Sequence, residues 1–363
     1  MYSRALREDF FDPHGNAQEG RSYMKYIRQF PMKLIFGRGK IRLVGEQTRA
    51  LGQHAALITG QESALQTGLL SRSLSYFEKN GVQASVLHLS PDEKDPVHRT
   101  MKLVQDSQAQ VLLALGGGSI LDIARHSADR MPDTTLILIP TTCGFGSVFH
   151  PVRSSDVVIL DSELLMTMPR PLLAATGFDS LSHGVEAVIA GNSTPRIREM
   201  SLYGIELLSH HLRVLYDGKC SAESWDAVAY AGVLNGTALI AAGPTACHAM
   251  EFPLWERYHA RHGKVLAALA PAVYEASTQS SPGQALALAQ ALGGHNASDF
   301  IPLLRDLEQN LQLNGRLVDL GMEREQFTEL ASRCQELCAD ALQNNPVLFT
   351  HDQLVQLYLA SYL

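Results

Sequence analysis

The stretch Val111-Leu112-Leu113-Ala114-Leu115 is apolar at every position and runs straight into Gly116-Gly117-Gly118. A strand with one face in water alternates apolar and polar residues, so an unbroken apolar run stopped by glycine reads as a strand covered on both faces. Runs of similar character recur at 32–37, at 55–59 before Gly60, at 84–89, at 136–139 before Pro140, and at 157–160. Helical spacing lies between them, at 69–79 and 97–108. Such alternation predicts an α/β domain built on a parallel sheet, with its ligand crevice at the C-terminal ends of the strands.

From Pro169 onward the pattern changes to helical periodicity with almost no strand signal, punctuated by Pro195, Pro244, Pro253, Pro271, Pro282, Pro302 and Pro346. The expected organisation is a polar N-terminal extension over 1–28, an α/β dinucleotide-binding domain over 29–166, and an all-helical domain over 167–363. A chain of 363 residues fits this division, because single cores stop growing near ~250–300 residues.

Composition excludes several classes. The net charge is −7 and there is no long basic run, which argues against a nucleic-acid partner, since phosphate binding needs clustered Lys and Arg. The five cysteines include no CxxC pair, so a reducing, cytoplasmic compartment is expected. The N-terminus lacks the apolar core of a signal peptide. The longest apolar candidate for a membrane span, 228–242, is interrupted by Tyr230, Asn235 and Thr237 and reads as a buried helix.

Two loops carry candidate cofactor chemistry. Gly116-Gly117-Gly118-Ser119-Ile120-Leu121-Asp122 follows a buried strand and opens a helix, where backbone N–H groups and the helix dipole suit a phosphate. It is not the GxGxxG fingerprint, and a tight βα turn without a ligand is the alternative. The loop Pro140-Thr141-Thr142-Cys143-Gly144-Phe145-Gly146-Ser147 also follows a buried strand, and two such loops can meet across one crevice.

A second group suggests a metal. Asp179 and His183 stand four apart, on one helix face. Such a pair alone is more often simply hydrogen-bonded. His248 and His262 follow in CHAMEFPLWERYHARHGK. One carboxylate with three imidazoles suits a divalent ion such as Fe²⁺ or Zn²⁺ and leaves positions open for a substrate oxygen. Loops separate the segments, so spacing alone does not bring them together. Glu186 lies near His183 on the same face, as a residue that orients a ligand or as plain helix surface. Cys247 reads as a small buried hydrophobe.

These segments resemble the iron-containing (group III) alcohol dehydrogenase family, which shares its fold with glycerol dehydrogenases and dehydroquinate synthases. GGGSILDIAR is similar to the family's GGGSxxDxAK, PTTCGFGS to PTTxGTGS, and VVILDSELLMTMPRPLLAATGFDSLSHGVEA to the segment that carries the first two ligands. His248 and His262 sit fourteen apart, as the last two ligands do. The resemblance runs from about Pro31 to the C-terminus. It implies Asp179, His183, His248 and His262 as ligands of Fe²⁺, alternatively Zn²⁺. It places Gly117, Gly118, Ser119 and Asp122 at the phosphates and Thr141 and Thr142 at the cofactor. The implied activity is NAD(P)H-dependent, metal-assisted reduction of a small aldehyde, or the reverse oxidation, with a homodimer as the implied assembly.

The chain also departs from the family. Phe252 stands where the family usually has a second histidine, and a phenyl ring cannot relay a proton; His259 is the expected substitute as a catalytic residue. The hairpin before Val157 is reduced to PVRSSD, where Arg153 is the remaining cation, and the stretch between Arg125 and Leu136 is abbreviated. Arg125 replaces the motif lysine, and Phe145 takes the place of a threonine in the cofactor-contacting loop. Gly60 follows the second strand where NAD-preferring members place an Asp, which favours NADP(H) over NAD(H). Gln61 and Ser63 offer further polar contacts there. Substrate selection is expected at Phe149, Phe252, Trp255 and Tyr258. Two other functions stay open: a catalytically impaired relative acting by ligand binding or assembly, and a lyase or cyclase of the dehydroquinate synthase type.

Overall fold

The computed structural model describes residues 32–61, 63–90, 93–146, 155–219 and 221–362. The N-terminal extension, Phe149, Arg153 and Cys220 lie outside them. The chain divides into two compact units between Met168 and Pro169.

The first unit is built on six strands: β1 (Lys33–Phe36), β2 (His54–Gly60), β3 (Gln83–Leu89), β4 (Val111–Gly116), β5 (Thr135–Pro140) and β6 (Val157–Leu160). Helices α1 (Val44–Leu51), α2 (Ser63–Gln66), α3 (Leu69–Lys79), α4 (Pro96–Asp106), α5 (Gly118–Asp129) and α6 (Ser162–Leu165) connect them. All pairings are parallel and the order is β1-β6-β5-β4-β2-β3. The apolar run that defines β4 is buried from end to end, with Leu113 opposite Leu57 on one side and Ile137 on the other. Each fully buried Leu or Ile contributes on the order of 1.5–3 kcal/mol, so this strand anchors the sheet.

The strand order has a consequence for binding. The chain leaves β2 toward the β3 edge and leaves β4 in the opposite direction, toward β5. Neighbouring strands whose connections diverge open a crevice at their carboxyl ends. Gly60 ends β2 and Gly116 ends β4, so both flank that point. The Thr59 hydroxyl donates to the Leu115 carbonyl at 2.8 Å and ties the two strand ends together. Buried Asp161 plays the same role for β1 and β6, accepting from the backbone N–H groups of Gly39 (3.0 Å), Ile41 (2.8 Å) and Glu163 (3.0 Å).

The second unit is helical: α7 (Arg170–Ile189), α8 (Pro195–Tyr216), α9 (Ala222–Ala242), α10 (Ala246–Tyr258), α11 (His262–Thr278), α12 (Pro282–Ala291), α13 (Phe300–Asn310), α14 (Phe327–Leu337), α15 (Ala339–Asn344) and α16 (His351–Ala360). Local chemistry sets several starts. Thr194, Ser221 and Thr350 cap α8, α9 and α16 through their side-chain oxygens, and Pro195 and Pro282 occupy first turns.

The apolar run at 228–242 lies within α9, and its residues from Val228 to Leu239 are all buried. Among the described residues no single helix is long and apolar enough to cross a membrane, and α9 with α10 meets that test only across a 96° bend. The polar interruption at Asn235 has a packing purpose. Its amide donates to the Ser180 carbonyl of α7 at 2.9 Å. Its side chain fills the space left by two glycines: a Cβ on Gly184 would come within 2.8 Å of it, and one on Gly204 within 2.1 Å. Glycine on α7 and α8 lets three helices close around one amide.

Glu308 of α13 is 4% exposed, and its Oε1 has no hydrogen-bond partner among the described residues. Burial pushes its carboxyl up to about 8, with Arg305 opposing. An unfolded glutamate titrates near ~4.3. Between these values the folded chain holds a proton that the unfolded chain has released. The stabilisation is complete at low pH and is lost as pH rises through about 8. Glu308→Gln, neutral throughout, is expected to lose less stability than the wild type between pH 5 and pH 9, as measured by denaturant unfolding. Parallel pH curves for the two proteins would refute this.

Candidate metal centre and dinucleotide loops

Asp179 and His183 project from the same face of α7, His248 from the first turn of α10, and His262 begins α11. The structure brings all four together. Three Nε2 atoms turn on one carboxylate oxygen, Asp179 Oδ1, at 3.1 Å from His183, 3.1 Å from His262 and 3.7 Å from His248. The four potential ligand atoms lie within 4.8 Å of one another. The His248 ring stands between the other two, at centroid distances of 5.1 and 5.3 Å. The opening is on the His262 side: its side chain is 42% exposed, against 4% for His183.

Two buried glutamates hold the rings from behind. Glu186 Oε1 lies 3.1 Å from His248 Nδ1, and Glu251 Oε1 lies 2.9 Å from His262 Nδ1. Each occupies the far nitrogen and directs Nε2 inward, the arrangement that fixes the tautomer of a metal-binding imidazole. Glu186 also organises the start of α10. It accepts from Thr245 N at 2.6 Å and His248 N at 2.9 Å, so a carboxylate of α7 serves as the cap that the Thr245 side chain does not provide.

The electrostatics favour a cation. Burial pushes the Asp179 and Glu186 carboxyls up, but the facing imidazoles and hydrogen bonds outweigh it, holding Asp179 well below and Glu186 below the ordinary range. Burial pushes the imidazoles down, and the same carboxylates, with Glu251, outweigh it. His248 is raised to about 9 and His262 well above its usual value. Three imidazole nitrogens and one carboxylate oxygen, backed by two buried anions, fit a borderline divalent ion.

The loops of the first unit have their own geometry. Gly117 is the N-cap of α5 and supplies no side-chain cap. The N–H groups of Gly118 and Ser119 stand at the helix start, where none has an intrahelical acceptor. A Cβ on Gly117 would meet Thr142 Cγ2 at 3.2 Å, so the two loops touch at this point and a side chain there would crowd them. Thr141 N donates to the Gly116 carbonyl at 2.9 Å, which continues the β4–β5 pairing into the loops. Asp122 lies beside buried Arg125, whose pKa burial pushes down to about 10 while Asp122 opposes the shift. A Cβ on Gly60 would meet nothing within 4 Å. Phe145 has φ 27° and is 4% exposed, which leaves its backbone rather than its ring to face a ligand.

The family model for iron-containing alcohol dehydrogenase matches residues 31–161, and the model for the C-terminal part of that family matches residues 173–362. The chain belongs to the iron-containing alcohol dehydrogenase family. It is 24% identical to the NADPH-dependent butanol dehydrogenase of Clostridium saccharobutylicum, over 92% of this chain and 97% of that protein. It is 23% identical to the NAD-dependent methanol dehydrogenase of Bacillus methanolicus, over 90% and 97%. The fold is that of the alcohol dehydrogenase from Oenococcus oeni, with a TM-score of 0.85 at 23% identity over 92% of this chain and 98% of that one. As a member of the family the chain is an oxidoreductase that interconverts a small alcohol and its aldehyde, with a nicotinamide cofactor and a divalent metal.

Other expected site residues fall differently in this alcohol dehydrogenase. His259 lies outside the four-residue cluster, exposed in a left-handed conformation (φ 49°) at the end of α10, with its ring edge-on to Trp255 at 6.5 Å. The Tyr258 hydroxyl accepts from Glu323 N at 3.2 Å, so it is engaged in the helical unit's own structure. Burial pushes the Cys247 thiol well up, which suits a packing residue rather than a nucleophile. Glu186 is fully buried and is not helix surface. Glu251 escaped the sequence reading; its signal was a carboxylate among Met250, Pro253 and Leu254, all of them buried here.

Gly263 completes the positioning. A Cβ there would lie 2.0 Å from the Ala175 carbonyl oxygen, so α11 approaches α7 closely enough to set His262 on Asp179 only because residue 263 has no side chain. Glu251→Gln is expected to weaken Zn²⁺ or Co²⁺ binding by ~10–100-fold with little change in melting temperature. Gly263→Ala is expected to weaken it as well, by displacing His262. Titration calorimetry on the metal-stripped protein checks both, and unchanged affinities would show that the rings need no such support.

Proposed function

We propose that Asp179 Oδ1 and the Nε2 atoms of His183, His248 and His262 hold a single divalent ion, Fe²⁺ or alternatively Zn²⁺, in an enzyme that reduces a small aldehyde with NADPH or runs the reverse oxidation. The observation that carries this reading is the convergence of three imidazole nitrogens on one carboxylate oxygen, with two of the rings oriented by buried glutamates. When bound, the ion supplies Lewis acidity toward the substrate oxygen and the nicotinamide carries the hydride.

The protein's own residues do the rest. Glu186 and Glu251 keep protons on the Nδ1 atoms of His248 and His262, so their Nε2 lone pairs stay directed at the centre. Gly117, Gly118 and Ser119 offer backbone N–H groups to the cofactor's phosphates, with Asp122, Thr141, Thr142 and the Phe145 backbone around them. Aldehyde reduction needs a proton delivered to the substrate oxygen. Phe252 cannot deliver it, and the exposed imidazole of His259 is the group proposed to do so. Gly60 leaves open space where an acidic side chain would repel a 2′-phosphate, which supports NADP(H) over NAD(H). A cytoplasmic homodimer completes the reading. Buried reduced thiols such as Cys334, which donates to the Ala249 carbonyl at 3.2 Å, are in the state a cytoplasm maintains.

Gly60→Asp is expected to weaken NADPH binding by about tenfold or more, equivalent to ~1.4 kcal/mol, and to spare NADH, as read by fluorescence titration. Equal loss for both cofactors would place the 2′-position elsewhere. His259→Gln is expected to remove the ionisation that limits the pH–rate profile; an unchanged profile would take His259 out of proton transfer. His262→Ala is expected to abolish metal retention and turnover together.

A further inference from the structure

We infer that Phe252 and Trp255 form the seat for the substrate's carbon chain, and that the enzyme selects alcohols and aldehydes with an apolar substituent, alkyl or aryl, over those with a second hydroxyl or a charge. This rests on the proposed metal centre and adds the substrate class to it.

The helix phase places the seat. Phe252 and Trp255 follow His248 by four and seven residues on α10, so all three share one face. Side chains on a helix lean toward its N-terminus, which carries the Phe252 ring back over the turn that holds His248. His248 is one of the four residues at the centre. The two aromatic rings contact each other, with centroids 6.0 Å apart and planes tilted by 43°.

Exposure marks the pair as a surface awaiting an apolar partner. Phe252 is 40% and Trp255 47% exposed, one and two turns along α10 from His248, while Glu186 and Glu251 behind the imidazole rings are buried. The polar residues next along the helix are turned elsewhere: Glu256 pairs with Arg333 at 3.0 Å, and Arg257 with Glu329 at 3.3 Å. A substrate whose oxygen lies at the centre therefore sets its next carbons against a phenyl ring, which neither donates nor accepts a hydrogen bond. An alkyl or aryl group gains by this contact. A second hydroxyl loses water and finds no partner, and an unpaired buried polar group is what sites reject most strongly.

Trp255 makes the idea testable without turnover. Of the two tryptophans, Trp225 is 3% exposed and Trp255 47%, so a ligand at the seat changes the emission of Trp255. The metal-loaded full chain is titrated with 1-hexanol, benzyl alcohol, 1,2-propanediol and glycerol. The expected result is saturable binding at least tenfold tighter for the first two. Phe252→Ala is expected to erase that preference and Phe252→Leu to keep most of it, with metal content and NADPH affinity unchanged. Equal affinities for all four alcohols would overturn the proposal, as would a Phe252→Ala enzyme that keeps the preference. Loss of NADPH affinity in Phe252→Ala with alcohol affinities intact would also overturn it, since the ring would then serve the nicotinamide. If the chain retains no metal, the reading of the centre falls and this inference with it; if metal is retained but no preference is seen, this inference alone falls.

Discussion

The helical unit depends on one buried carboxylate. Glu186 leaves α7 one turn beyond His183 and accepts from the backbone of Thr245 and His248, where α10 begins. It also meets the Nδ1 of the His248 ring. A single anion thus starts a helix, fixes its distance from α7 and sets the direction of an imidazole. An unpaired carboxylate at zero exposure would be costly, so the contacts around Glu186 are conditions for its burial as much as gains from it. Glu251 of α10 repeats the arrangement for His262. The cluster is therefore a polar core with its own packing demands, and Asn235, Gly184, Gly204 and Gly263 set the helix separations that those demands require.

The sheet unit solves a different problem with the same economy of side chains. Its proposed binding surface is mostly backbone: a glycine cap on α5, two further glycines at the ends of β2 and β4, and threonines that follow β5. Gly117 and Thr142 touch because β4 and β5 are neighbours in register, with Gly116 opposite Pro140. Phosphate recognition by N–H groups requires that nothing protrude, and on the proposed reading side-chain deletion, more than side-chain chemistry, would specify the surface.

Much of this was legible in the residues alone. The unbroken apolar runs of β4 and β5 pointed to a doubly covered parallel sheet, and the four metal-type residues stood out by their chemistry, with the family resemblance joining them into one set. What stayed hidden depends on contacts between segments far apart in the chain. Strand order follows from crossovers, not from strand composition, so the divergence between β2 and β4 had no local signature. Glu186 was visible as a neighbour of His183, but whether it faced a helix start or solvent depended on α10, about sixty residues on. Glu251 lies three residues after His248 yet serves His262, and periodicity within α10 points to the wrong partner. The surroundings of His259 were equally hidden: its ring stands edge-on to Trp255, a neighbour that its place in the sequence did not name.

Position 252 joins these strands of argument. A phenyl ring there carries no proton, and with Trp255 it gives the face of α10 that follows His248 an exposed aromatic surface. Apolar walls exclude water, and with less water the field of buried carboxylates such as Glu186 and Glu251 is screened less. Under the proposed function, phenylalanine at 252 would trade a local proton donor for a drier site. Such a trade is tenable only if another group moves the proton and if the substrate brings no polar atom to that wall. The proposed proton transfer by His259, just past the end of α10, answers to the first condition, and the contact of Phe252 with Trp255 to the second.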